Sequence, residues 1–236
     1  MLSVYPSSTR WHERARSAGS VWHSLGPAGG PMTSFHGLKR LEENRLPPGT
    51  EAERRSGPEE VLTYVVEGTL AWEDERGGSG VLRAGSFQRS GRGAEHRLRE
   101  SNASHGDWVS YFHIVFGPPG PGSAPHSQQH FTVASRRDAW RVVASPDGRD
   151  GSLQLDEDAV VSSVILEPGQ HLVWPLEERR GVWLQLVSGR VRFGEFEFSA
   201  GDAVAISEVF SVAVTAKART ELLLIEVAAN GSGGAT

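Results

Sequence analysis

The 236-residue sequence contains no cysteine, which excludes disulfides, thiolate metal ligands and a cysteine nucleophile. No apolar run approaches the ~20 residues of a membrane span, and the opening MLSVYPSSTRWHERARSAGS has no apolar segment of signal-peptide length. A cytoplasmic protein without a membrane partner is the expectation. An excess of positive charge is missing too. A formal net charge of −5 with 22% charged residues supplies no basic field for a phosphate backbone, so direct nucleic-acid binding is not expected. There is no Gly-rich phosphate loop opening a helix, no serine on a strand-to-helix elbow and no His-Glu-x-x-His pair.

Helix-period patterns are scarce. Short runs of Val, Leu, Tyr, Trp and Phe recur instead between Gly, Pro, Asp and Ser punctuation, the pattern of an all-β sandwich or barrel. The clearest predicted strands are Val61 to Val66, Thr69 to Glu73, Trp108 to Phe116, Val160 to Leu166, Val182 to Val187, Val191 to Phe193 and Glu221 to Val227. Between the halves, GPPGPGSAPHSQQ (117–129) cannot build a ladder or a packed face and reads as a linker. That gives an N-terminal barrel over 1–116, a C-terminal barrel over 130–227, and a tail, 228–236, expected to be disordered.

A weak internal repeat supports the division. LPPGT, YVVEGTLAW and VLRAGSF in the first half are echoed by LEPGQ, LQLVSGRVRF and FSAGDAV in the second. Each series reads as a Pro-Gly turn, a strand, a hairpin at Gly68 or Gly189, a second strand, and a turn at Gly85 or Gly201. Hairpins repeated in this way build a double-sheet jelly roll, and two copies make a bicupin.

The segments FHGLKRLEENRLPPG, EEVLTYVVEGTLAWEDERGGSGVLRAGSFQ, GRGAEH, ESNAS, VVASPDGRDGSLQLDEDA and WLQLVSGRVRFGEFEFSAGDAVAIS, in order from Phe35 to Ser207, resemble the pirin family. The resemblance is to bacterial members similar to quercetin 2,3-dioxygenases. It implies two tandem cupin barrels and one divalent metal, commonly iron, in the N-terminal barrel. In the family a His-x-His pair enters the strand before TYVVEG, and a His-x-Glu pair follows the next glycine turn. Counting back from TYVVEG places Arg54 and Ser56 at the two histidine positions. Arginine has no lone pair to give and a serine hydroxyl is a poor ligand for such a metal. Counting on from Gly85 places Leu98 at the third histidine and Glu100 at the glutamate, whereas anchoring on GRG places His96 at that histidine. Alternation along a strand would aim both His96 and Glu100 inward.

With half of the ligand set replaced, no cofactor is expected, and His96 and Glu100 are the residues that would hold a metal if one binds. The plainer reading of Arg54 and Arg55 is a solvated loop; the sharper one turns Arg54 into the vacated pocket, where Glu60 or Glu100 should pair with it or an anionic ligand should bind it. Glu60 is either a pocket acid or a structural ion pair. His113, on the face of Val109, Tyr111 and Val115, is either a hydrogen-bonded core histidine or part of a metal site rebuilt from Glu60, His96, Glu100 and His113. Arg89, Arg92, Arg97 and Arg99 read as a solvated ladder. His171 is the single histidine near the corresponding loop of the second half, which reads as structural. Three function classes follow: a metal-free protein binding a small molecule or a protein partner; a quercetin 2,3-dioxygenase-like enzyme with a rearranged site; and a transcription co-regulator acting through protein partners.

Overall fold

The computed structural model describes residues 1–14, 19–26, 32–91, 96–118, 126–176, 179–208 and 211–229; of Arg55, Ser56 and His96 it describes the backbone alone. Among the described residues there are twenty-two strands, three short 3-10 turns and no α-helix. The strands of the first half are β1 Leu2–Tyr5, β2 Trp11–Arg14, β3 Ser20–Leu25, β4 Arg40–Leu46, β5 Glu51–Ser56, β6 Glu60–Glu67, β7 Thr69–Asp74, β8 Ser79–Arg83, β9 Ser86–Gly91, β10 His96–Asn102 and β11 Val109–Val115. Those that follow are β12 His126–His130, β13 Arg141–Ser145, β14 Leu153–Gln154, β15 Ala159–Leu166, β16 His171–Pro175, β17 Arg180–Ser188, β18 Arg190–Phe193, β19 Phe196–Ser199, β20 Ala203–Ser207, β21 Ser211–Ala216 and β22 Thr220–Ala228.

Each half closes a seven-stranded sheet on a four-stranded one. The first half carries the orders β12-β9-β6-β11-β4-β3-β2 and β5-β10-β7-β8; the second carries β1-β20-β17-β22-β15-β13-β14 and β16-β21-β18-β19. The central run β9-β6-β11-β4 and its partner sheet recur, in the same order, as β20-β17-β22-β15 and its partner. The internal repeat is therefore a repeat of topology. Its glycines have a backbone reason: Gly68, Gly85, Gly189 and Gly201 all lie at φ between +79° and +88°, where L side chains are strained. Gly68 also has the Trp108 carbonyl 2.5 Å from where a Cβ would stand.

All seven predicted strands are present, but the expected boundaries shift. β12 lies in residues assigned to the linker and pairs with β9 of the first barrel, His126 to Ser90 through His130 to Ser86. β1 pairs with β20 of the second barrel, Leu2 with Ile206 and Tyr5 with Ala203. Each barrel is thus edged by a strand from the other side of the expected division. Residues 119–125 of the linker and 230–236 of the tail lie outside the described residues.

The two seven-stranded sheets pack face to face, and the largest apolar cluster fills the seam. It joins Leu62, Tyr64, Phe112 and Ile114 of the first half to Val161, Trp183, Leu223 and Ile225 of the second. A second cluster, including Val164, Leu184, Leu186, Val204, Val214 and Leu224, fills the C-terminal barrel. The N-terminal barrel has a smaller one around Val65, Leu70, Trp72, Leu98, Val109 and Tyr111.

Glu60 and Arg89 belong to the seam as well. Glu60 is 1% exposed; its carboxylate accepts from Arg89 Nε at 2.7 Å and from the backbone N–H groups of Asp156 and Glu157 across the seam, at 2.9 to 3.1 Å. Arg89 also reaches Asp156 Oδ2 at 2.6 Å. Of the readings open for Glu60 the structural ion pair holds and not the pocket acid, and the solvated reading of Arg89 is corrected: it is buried, unlike the exposed Arg97 and Arg99, while Arg92 lies outside the described residues. Turns without apolar residues gave no hint that residues 156–157 would cap a carboxylate from the other half. Removing one partner of a buried pair strands the other charge. Glu60→Ala should lower the unfolding free energy by about 3–5 kcal/mol in chemical denaturation. Arg97→Ala, which breaks an exposed pair with Glu53, should cost about 0–1 kcal/mol.

Candidate functional site

The segment carrying Arg54 and Ser56 is a strand, β5, rather than the expected loop. It pairs with β10 so that Ala52 lies opposite Glu100, Arg54 opposite Leu98 and Ser56 opposite His96. Alternation sorts the side chains. Glu51, Glu53, Arg97 and Arg99 are exposed, while Ala52 and Arg54 are half-buried and Leu98 and Glu100 are buried. Arg54 therefore turns into the barrel, and its Nε, Nη1 and Nη2 are all buried without an acceptor. The expected pair with Glu60 or Glu100 is not made: Glu60 is engaged at the seam, and Glu100 is held by other partners. The side chains of Ser56 and His96 lie outside the described residues. Leu98, 2% exposed, stands beside Arg54 on the interior face.

Glu100 is fixed by two residues of β11, one oxygen accepting from the Tyr111 hydroxyl at 2.9 Å and the other meeting His113 Nε2 at 2.8 Å. His113 Nδ1 faces Asn44 Nδ2 at 3.4 Å and Glu42 Oε2 at 3.9 Å, both from β4. The relay continues outward, with Glu42 Oε1 3.4 Å from His23 Nδ1 and 3.2 Å from Arg40 Nε, and with Arg40 bidentate on Glu59 at 2.7 Å. His113 is thus a hydrogen-bonded core histidine that also faces the site. The rebuilt metal set loses Glu60, which points to the seam.

Sequence reasoning missed Glu42, Asn44 and Tyr111 as site residues. The run RLEEN around Glu42 reads as a solvated face, and only the pairing of Glu42 opposite His113 in β4 and β11 brings it in. Tyr111 carried a signal: on the period-two count it shares the face of His113.

Burial alone would discharge these groups, but their mutual contacts win. For His113, burial opposes the charge and so does Arg54, yet the Glu100 charge and hydrogen bonds to Glu100 and Glu42 raise its pKa above the ordinary 6.5. Burial works to raise the pKa of Glu100, but the His113 charge and hydrogen bond, then Arg54 and Tyr111, hold it below the ordinary 4.5. Glu42 is likewise held well below its usual range, against burial, by hydrogen bonds from His113 and His23 and by Arg40. Burial and the Glu100 charge push the Tyr111 phenol well up, so it stays a donor.

Of the two residues expected to hold a metal, Glu100 is bonded to Tyr111 and His113, and the His96 side chain lies outside the described residues. Among the described residues no three His, Asp or Glu side chains are grouped as a metal would need. A guanidinium with no lone pair and a permanent positive charge points into the barrel from the position that the resemblance gives to the first histidine, beside Leu98. What the arrangement offers is a buried row of donors on Arg54 near a locked phenol, carboxylate and imidazole.

The pH dependence follows from the directions of these shifts. His113 is raised, so its contribution to stability is complete below its unfolded value of 6.5 and is lost as pH rises through its folded value. Glu42 and Glu100 are lowered, so theirs is complete above 4.5 and is lost as pH falls. All three contribute together between 4.5 and 6.5. Calorimetric Tm should peak in that window, and His113→Gln should flatten the alkaline side of the profile while leaving the acid side sloped.

The sequence profile of the quercetinase C-terminal cupin domain matches residues 142–227. The curated quercetin 2,3-dioxygenase of Escherichia coli K12 is 31% identical over 169 residues, covering 71% of this chain and 72% of that protein. The crystal structure of YhhW from Escherichia coli superposes with a TM-score of 0.88 at 26% identity, over 97% of this chain and 98% of that one. The bacterial pirin YhhW in complex with nickel(II) gives 0.87 at the same identity, over 97% and 100%. With the tandem barrels, the repeated strand order and these likenesses in agreement, the chain belongs to the pirin family of bicupins.

Proposed function

We propose that this pirin-family chain uses its N-terminal barrel without a metal, as a binding pocket in which Arg54 supplies the positive charge that a divalent ion supplies elsewhere in the family. The observation that carries the reading is the Arg54 guanidinium, buried with none of its three nitrogens bonded. A buried donor left without an acceptor costs about 1–3 kcal/mol, more for a charged group, so the site favours any molecule that brings acceptors to it. Glu100 acts on Arg54 through its charge and not through a hydrogen bond. The missing component is hydrogen bonding. The ligand that fits is a small molecule presenting paired oxygen acceptors, such as a carboxylate, to the planar guanidinium fork.

Two bacterial relatives give the competing reading its weight: one is called a quercetin 2,3-dioxygenase and the other is a pirin in complex with nickel(II). In this chain the same activity would require a metal beside Arg54, with Arg54 and Ser56 where the resemblance puts the first two histidines. Two direct cations at such a separation repel strongly in a low-dielectric interior.

Elemental analysis of protein purified without a metal-affinity tag should find iron, nickel, copper and zinc each well below one equivalent. The triple substitution Arg54→His, Ser56→His, Leu98→His, which places imidazoles at the two positions of the His-x-His pair and at one of the two candidates for the third histidine, should bring bound iron or nickel to about one equivalent. Oxygen uptake with quercetin should stay at background for the native chain supplied with either metal. A stoichiometric metal in the native protein, lost on Glu100→Ala and accompanied by quercetin turnover, would move the assignment to the dioxygenase.

A further inference from the structure

A cavity of about 460 Å³ opens between the barrels, at the end where the glycine hairpins of both halves meet. Its walls come from both: Val66 at the end of β6, Phe131 and Val133 after β12, and Ile165 at the end of β15. The polar end is built from Arg136, Arg219 and Glu221. This volume is within the range of small-molecule sites, which occur preferentially between domains.

The floor is a built polar network. Arg136 is 3% exposed, and its Nη1 donates to the Tyr64 hydroxyl at 2.8 Å, to Ser163 Oγ at 3.0 Å and to Glu221. Tyr64 donates in turn to Glu221. The carboxylate is thus neutralised from below, while Arg136 Nε is buried with no acceptor. Arg219, at the rim, lies 3.7 Å from Glu167, which is not part of the lining, and its side chain is 60% exposed. Within the lining itself two arginines face one glutamate. His130 on the same wall has its pKa lowered by burial and then by the charges of Arg83 and Arg136.

An apolar wall ending in a positive field has a chemical complement. We infer that the inter-barrel cleft is a second ligand site, taking a small aromatic or alicyclic anion whose ring lies on Phe131, Val133 and Ile165 and whose acidic group faces Arg136 and Arg219. The site is separate from Arg54 and does not rest on the reading of the N-terminal barrel. It also differs from that barrel in needing both halves: neither supplies the wall and the cations alone.

The aromatic sulfonate 8-anilinonaphthalene-1-sulfonate is a suitable probe, titrated into the full chain by fluorescence. Saturable binding at one site is expected, and the uncharged N-phenyl-1-naphthylamine should bind at least about tenfold more weakly. Val133→Asp and Arg219→Glu should each weaken the sulfonate by about tenfold or more; Val133 is 41% exposed and Arg219 is at the rim, so neither change threatens the fold. Arg54→Gln should leave this binding unchanged. Absence of saturable binding, binding that both cleft variants retain, or equal binding of the uncharged analogue would overturn the inference.

Discussion

Two seven-stranded sheets packed back to back leave their central strands no face in contact with water, and the rest of the molecule follows from that constraint. Along β6 and β11 one set of alternating residues enters the seam, Leu62 and Tyr64, Phe112 and Ile114. The other set lines the first barrel, with Thr63, Val65, Tyr111 and His113 buried there. A register slip of one residue would drive His113 into the apolar seam and Phe112 into the polar interior. The seam thus fixes the direction in which every site residue on these strands points, and the Glu60 carboxylate, capped by N–H groups from the other half, ties the seam to the mouth of the first barrel.

The interiors the seam leaves behind are unequal. The second barrel is filled by an apolar cluster running from Val164 to Leu224, and its one strand-borne histidine of interest, His171, is exposed and bonded to Thr215. The first barrel keeps apolar filling around Val65, Leu70 and Val109 and gives the remainder to Arg54, Glu100, His113 and Asn44. Burying that many polar groups is tolerable only because most are mutually bonded. Among these four the exception is Arg54, whose guanidinium nitrogens have no acceptor.

Much of this was legible in the chain. The glycines at 68, 85, 189 and 201, the alternation from Val61 to Val66, and the face shared by Tyr111 and His113 follow from backbone strain and strand period, and both barrels could be drawn from them. Arg54 could be flagged because a residue without lone pairs stands where the family resemblance asks for a ligand. The pairing partners could not be read. Nothing local tells that Glu42 lies opposite His113, that Arg89 is buried on Glu60, or that β1 and β12 cross to edge the opposite barrels, since each depends on contacts between residues far apart in sequence. Polar strands such as β5 and β10 were obscured for a related reason: their exposed charges mask the inward alternation of Arg54, Leu98 and Glu100.

The residues around Glu100 make sense as one coupled change. A buried carboxylate that no longer binds a metal would lack a counter-charge, and it would then take up a proton or destabilise the barrel. Here Glu100 stays ionised because His113 and Arg54 both act on it, the first by contact and the second through its field. Arginine at position 54 brings a permanent positive charge to that carboxylate; a guanidinium orients and neutralises an acidic group but has no open coordination position at which to activate one. Glu100, Tyr111 and His113 thus form a mutually bonded frame that lies in the field of the arginine head.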